Sequence, residues 1–151
     1  MFYLIYFSTA NHDFGEAQIS DMLEGSRSYN RENEITGCLL HYQEKFLHYL
    51  EGERFEVLQL FDKIKEDGRH SRVALLSHGD IPEREFGPYA MAYENFRRNG
   101  HKTEFLGLLI SSFIEAPERA LDPDPTSKRF WTTTKKLLDP KFRSELVRSE
   151  N

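Results

Sequence analysis

Cysteine is almost missing from this chain. Cys38 stands alone in 151 residues, so no internal disulfide can form and the sequence suits a reducing compartment. An excess of positive charge is missing as well. There are 20 lysines and arginines against 25 acidic residues, a formal net charge of −5. No basic stripe with interleaved aromatics appears, and we expect no nucleic-acid partner. Long hydrophobic runs are absent. The apolar start, Met1 to Phe7, is too short to cross a membrane and lacks the basic flank of a signal peptide. We read it as a first strand, expect no membrane partner and expect a cytoplasmic protein. A glycine-rich phosphate loop, a Cys/His pair with an orienting group and paired inward carboxylates are all lacking. These absences lead us to expect a protein that is not an enzyme.

What is present is aromatic. Twelve phenylalanines and seven tyrosines, within a hydrophobic fraction of 38%, allow a real core for one domain with a short appendage. The stretch Glu34 to Gly52 organises the chain. Ile35 to Tyr42 and Phe46 to Leu50 are rich in strand formers, and Gln43, Glu44 and Lys45 form a polar turn between them, so the stretch reads as a β-hairpin. Gly37 and Gly52 mark places of backbone freedom or close approach. Residues two apart on a strand share a face, so Phe46, His48 and Leu50 point one way and Leu47 and Tyr49 the other. A histidine set among apolar neighbours must find a partner or leave a costly buried polar group.

Phe2 to Ser8 is apolar on both faces and reads as a central strand. Glu16 to about Ser28 reads as a helix, followed by a polar connection from Tyr29 to Asn33 in which Asn30 suits a helix end or turn. Arg54 to Glu66 is a second helix, with Val57, Leu58, Phe61 and Ile64 at helical spacing. His70 to His78 is a strand, and Glu83 to Phe96 a less regular one. The order β-α-β-β-α-β-β predicts an α+β fold, a ferredoxin-like βαββαββ sandwich with both helices on one sheet face. After Gly100 the character changes. Thr103 to Ile114 is a helix with an apolar stripe of Phe105, Leu106, Leu109, Ile110 and Phe113. A last helix runs from Thr126 or Ser127 to about Leu138. We divide the chain into a domain over residues 1–100 and two C-terminal helices in an extension over 101–151. Those helices either cover the free sheet face or form a subunit interface.

Leu4-Ile-Tyr6, Asn30 with Ile35-Thr-Gly37, Phe46-Leu-His-Tyr-Leu-Glu-Gly52 and Ile64-Lys-Glu-Asp67-Gly-Arg69-His70 together resemble the BLUF family, blue-light sensors that use flavin. The resemblance covers about residues 1–97, and its specificity lies in the joint order and spacing of motifs that are weak singly. It implies a flavin, FAD or FMN, held between the two helices over the sheet. By position, Tyr6 matches the tyrosine that donates an electron to the excited flavin. Asn30 matches an asparagine on the flavin ring, and Tyr29 stands where Asn or His is common. Lys63 sits where a cation contacts the cofactor, and Ile64 where an apolar residue packs on the ring. Asp67, Arg69 and His70 match a polar cluster on the ribityl and phosphate side. Met91 matches a methionine of the last strand, and Tyr89 lies where a tryptophan is common. His48 occupies the position of the family's glutamine, whose amide bridges tyrosine and flavin. A neutral imidazole has one donor and one acceptor and cannot reproduce the rearrangement of an amide. The resemblance therefore implies a flavin-binding, blue-light-sensor-like protein with an altered or absent photocycle, signalling through its C-terminal helices.

Each residue also has a plainer reading. Tyr6 and Met91 could be ordinary core, Asn30 a turn residue, and the charged run from Lys63 to His70 solvated surface. If the hairpin turns at Glu44-Lys45, His41 falls opposite His48, and such a pair could hold a metal, but no further ligands stand at suitable spacing. The alternative function is a flavin-free module for protein–protein interaction or oligomerisation. The stripe on Thr103 to Ile114 motivates it, and with it we expect a homo-oligomer and a downstream protein partner.

Overall fold

A continuous apolar run on a strand buries on both sides, and the first strand does so. A computed structural model describes residues 1–11, 16–42, 44–95 and Trp131. Strand β1 (Phe2–Ala10) lies between β4 (His70–Asp80) and β3 (Lys45–Gly52), and β2 (Thr36–Tyr42) and β5 (Ala92–Asn95) follow, in the order β4-β1-β3-β2-β5. β1 pairs antiparallel with β3 and β4, and β2 antiparallel with β3, while β5 joins β2 in parallel. This is the split β-α-β arrangement of a ferredoxin-like sheet with one strand added at its edge. The central position expected for β1 is what its two apolar faces require.

Helices α1 (Glu16–Glu32) and α2 (Arg54–Glu66) pack on one face. Beneath α2, Phe2, Leu4, Tyr6, Ile35 and Leu50 meet Val57 and Phe61; beneath α1, Leu39, Phe46 and Met91 meet Ile19 and Leu23. The other face gathers Ile5, Cys38, Leu40, Leu47, Tyr49, Phe86 and Trp131. Glu53 caps α2, its carboxylate accepting the Phe55 N–H at 2.8 Å and the Glu56 N–H at 3.3 Å, which satisfies donors the first turn leaves free. Gly37 is required by close approach, because a Cβ there would collide with the Tyr49 carbonyl.

Three sequence expectations are corrected. α1 runs one turn past Ser28, so Tyr29 and Asn30 are helical and not in a connection. The helix ends instead at Glu32, and the chain reverses at Glu34, which takes a left-handed φ of 53°. There the Ile35 N–H donates to Asn30 O at 2.8 Å and the Glu34 N–H to Arg31 O at 3.4 Å, the reversal a helix end uses to satisfy its last carbonyls. Second, the hairpin turn is tighter. Tyr42 pairs with Lys45, so His41 faces Phe46, and His48 faces Leu39 instead of His41. Third, the irregular strand over Glu83 to Phe96 shrinks to Ala92–Asn95. Pro82 and Pro88 have no N–H for a ladder. The N–H groups of Glu85 and Phe86 go to the buried Glu51 carboxylate, at 2.8 and 2.6 Å. The same carboxylate accepts the Thr36 hydroxyl at 2.8 Å, and the Arg84 guanidinium reaches Thr36 Oγ1 at 2.9 Å and Glu34 O at 2.7 Å. The expected helices over Thr103 to Ile114 and onward to Leu138 lie outside the described residues, apart from Trp131.

A residue with a side chain in left-handed backbone carries a penalty that glycine escapes. Glu34→Gly should therefore raise the unfolding free energy by about 1 kcal/mol, read from matched urea melts. A fall in stability would show that the glutamate side chain contributes more than its backbone costs.

Candidate functional site: a cleft between two helices

A cleft of about 270 Å³ opens between α1 and α2 with the sheet as its floor. Tyr6, Tyr29, Asn30, His48, Lys63, Ile64, Asp67, Arg69, His70 and Met91, the residues singled out from sequence, all line it. Tyr89 does not, and packs on the other side of the sheet. The floor comes from the strand alternation. Tyr6 on β1 and His48 on β3 are direct cross-strand partners on the helix face. The β1–β4 register shifts between Ile5 and Tyr6 and again between Phe7 and Thr9. The first precedes Tyr6 and the second falls at Ser8, the two β1 residues on the cleft floor, in keeping with the use of bulges to aim functional side chains.

The centre of the site is a buried pair. The Tyr6 hydroxyl and His48 Nδ1 are 2.7 Å apart, and both residues are at most 4% exposed. Burial, and then the Asp67 charge, hold the Tyr6 phenol well above the usual tyrosine range. Burial, and then nearby His70, pull the His48 imidazole down to about 3. Both groups are therefore neutral near pH 7. A neutral phenol must place its proton, and His48 Nδ1 is its hydrogen-bond partner among the described residues, so the O–H donates to Nδ1. The imidazole proton then sits on Nε2. That atom is the single buried side-chain nitrogen or oxygen without a partner among the described residues. A buried donor left unpaired costs on the order of 1–3 kcal/mol, and this one belongs to a residue lining an open cleft.

The walls are tied down by their own bonds. Asn30 is 1% exposed and donates its amide N–H to Ala90 O at 2.7 Å, and Arg27 Nε donates to Met91 O at 3.0 Å. The two bonds clamp α1 onto the segment leading into β5. Across the opening, Lys63 Nζ lies 4.5 Å above the Tyr29 ring and donates to its hydroxyl at 3.3 Å, bridging the helices. Asp67 accepts from the Arg69 N–H and guanidinium, which hold its carboxyl below the usual range against the opposing effect of partial burial. His70 spends both ring nitrogens: Nε2–H donates to the Ile64 carbonyl at 2.6 Å, so Nδ1 accepts from the Ser8 hydroxyl at 2.9 Å. His70 thus fixes the cleft wall and has no ring nitrogen left for a ligand.

The cleft also takes in Ser8, Asp21, Met22, Gly25 and Ser26, which sequence reasoning passed over. For Ser8, Gly25 and Ser26 the signal was small size. Gly25 and Ser26 lie one turn ahead of Tyr29 and Asn30 on the same helix face, and a Cβ at Gly25 would touch nothing within 4 Å. With Asp21 and Asp67 set against Lys63 and Arg69, the formal charges of the lining cancel. The donor set suits a flat, largely apolar ligand with acceptors on one edge: Leu39, Leu60, Ile64, Phe46 and Met91 offer apolar walls, and His48 Nε2–H offers a donor. A flavin ring, with carbonyl and ring-nitrogen acceptors, fits that description. Among the described residues no cluster of three metal-ligating side chains occurs.

Comparison with known proteins matches the chain to a family and its fold. The profile of the family described as BLUF, sensors of blue-light using FAD, matches residues 1–92. The photoactivated adenylate cyclase subunit alpha of Euglena gracilis is 32% identical over 84 residues, 56% of this chain and 8% of that protein. The chain thus spans only a small part of that relative. A bacterial light-regulated adenylyl cyclase structure superposes with a TM-score of 0.73 at 28% identity, covering 78% of this chain and 34% of that one. The dark-state structure of BlrB, a BLUF protein, superposes at 0.64 with 26% identity, covering 79% of this chain and 92% of that one.

The buried imidazole leaves a mark on stability. Unfolded, His48 takes up a proton near its ordinary 6.5; folded, it resists until about 3. Its contribution is therefore full above pH 6.5 and lost as pH falls through that window. Between pH 6.5 and 5 the protein should lose about 1 kcal/mol more per pH unit than a His48→Gln variant. Urea midpoints at each pH check this, and parallel slopes would place His48 in contact with water.

Proposed function

The chain belongs to the BLUF family, sensors of blue-light using FAD, and from that premise we propose that it is a flavin-binding, blue-light-responsive protein whose photocycle is altered by His48. The observation that carries the reading is the buried, unpartnered Nε2 of His48, beside Tyr6, on a residue that lines the interhelical cleft. FAD or FMN serves as cofactor, because the lining offers ring and ribityl contacts common to both. When bound, the flavin would supply blue-light absorption and an electron acceptor. Tyr6 is the donor. Its proton already points at His48 Nδ1, 2.7 Å away, so the imidazole is the base placed to hold that proton as the electron leaves. An amide at position 48 could turn either its carbonyl or its N–H groups toward the cofactor. The imidazole has one donor and one acceptor and already spends its acceptor on Tyr6. The long-lived red-shifted state of the family is therefore weak or absent.

The sensor acts without transforming a substrate, and its output is the C-terminal segment. Tyr49 follows His48 on β3 and points to the opposite face, where its ring lies 5.1 Å from Trp131 and 5.3 Å from Phe86. A change at His48 thus has a one-residue path to the region after residue 100, which we read as the signalling extension of a BLUF domain over 1–100. The asparagine clamp on Ala90 offers a second path, from α1 into β5.

The absorption spectrum of the purified protein, before and after blue light, tests the reading. We expect flavin bands with little lasting red shift in the wild type, and a stable shift in His48→Gln. A stable shift of the family's kind in the wild type would overturn the altered photocycle. A protein that stays colourless when FAD and FMN are added would leave the flavin-free interaction module as the better account.

A further inference from the structure

We propose that the Tyr6–His48 pair makes the cleft selective for one redox state: His48 is locked as a hydrogen-bond donor and favours the oxidised form of the flavin over the fully reduced form. The inference rests on the flavin-binding reading above and goes on to its redox preference. It follows from three facts about the pair. Tyr6 O–H and His48 Nδ1 share one short contact in a buried place. Tyr6 has no other hydrogen-bond partner among the described residues, so its proton is directed at Nδ1. The remaining ring position, Nε2, is then a donor with nothing to bind, on a residue that lines the cleft.

The two redox states of a flavin differ at the edge such a donor meets. Oxidised, the central-ring nitrogen beside the carbonyl is an acceptor, and so is the carbonyl. Fully reduced, that nitrogen carries an N–H and becomes a donor. The carbonyl still accepts, but at the nitrogen two donors now confront each other unless His48 moves its proton to Nδ1. That shift displaces the Tyr6 proton from its acceptor and leaves a buried hydroxyl unsatisfied. Either outcome penalises the reduced form. Glutamine in the same place escapes the penalty, because its amide can turn a carbonyl toward an N–H. The other polar groups near the pair do not relieve it. His70 holds Ser8 and Ile64 with its two nitrogens, Asn30 holds Ala90, and Lys63 reaches the Tyr29 hydroxyl. No such donor-or-acceptor choice is left to His48 while Tyr6 is in place.

Affinity for two forms of one ligand tests this on the full chain. Oxidised FAD and dithionite-reduced FAD are titrated anaerobically into the wild type, Tyr6→Phe and His48→Gln. We expect the wild type to hold oxidised FAD on the order of tenfold more tightly than reduced FAD, lowering the two-electron midpoint potential below that of free FAD by about 30 mV. Both variants should bring the ratio toward one. Loss of the hydroxyl in Tyr6→Phe frees Nδ1 of His48, and the amide introduced by His48→Gln can turn. Equal affinities in the wild type, or a ratio unchanged in both variants, overturn the proposal. The ring nitrogens of ¹⁵N-labelled His48 in the flavin-free protein give a readout that needs neither a variant nor a ligand: a proton on Nε2 supports the lock, and a proton on Nδ1 overturns it. A protein that binds neither form of FAD overturns the flavin reading and this inference with it, an outcome distinct from equal binding of both.

Discussion

Tyr6 and His48 face each other across β1 and β3, and the chemistry of the cleft depends on that register. Strand side chains alternate with a period of two, so a slip of one residue would turn the pair to the far side of the sheet. The apolar neighbours prevent the slip. Leu4 and Leu50 must stay under α2, and Ile5, Leu47 and Tyr49 must stay on the other face. Hydrophobic burial thus fixes where the polar pair sits, and low dielectric around the pair fixes its protonation. No single polar interaction holds the site in place.

The floor of the cleft was legible because strand alternation is short-ranged and strict. Phe46, His48 and Leu50 share a face in the fold as the alternation demands. The rim from Lys63 to His70 was legible because it closes a helix whose period is plain between Val57 and Ile64. What could not be read depends on partners far along the chain. Asn30 looked like a turn residue, but its amide belongs to Ala90, 60 residues away, and that bond supports an extra helical turn. The reversal after the helix fell on a glutamate in a place usually marked by glycine. Pro82, Gly87 and Pro88 broke a strand whose apolar residues still suggested one, and the backbone found a carboxylate in place of a neighbouring strand. The opposition of His41 and His48 failed for a smaller reason: the hairpin turn sits one residue earlier than its polar residues implied.

Glu51 shows how the two faces of the sheet are joined. Its carboxylate is fully buried, yet it accepts from one side chain and two backbone N–H groups, which is the condition for placing a carboxylate in a core. The Phe86 ring it positions lies 6.0 Å from Trp131, and Tyr49 completes the aromatic contact. Strand β3 therefore carries the cleft histidine, the tyrosine behind it and the carboxylate that orders the back face within four consecutive positions.

Trp131 is also the sole tryptophan of the sequence. It is 1% exposed and lies on the face away from the helices, edge-on to Phe86 and tilted against Tyr49. Its ultraviolet emission therefore has one source and one location. The chain carries an intrinsic optical probe of the back of its sheet, separate in wavelength and position from any chromophore in the cleft.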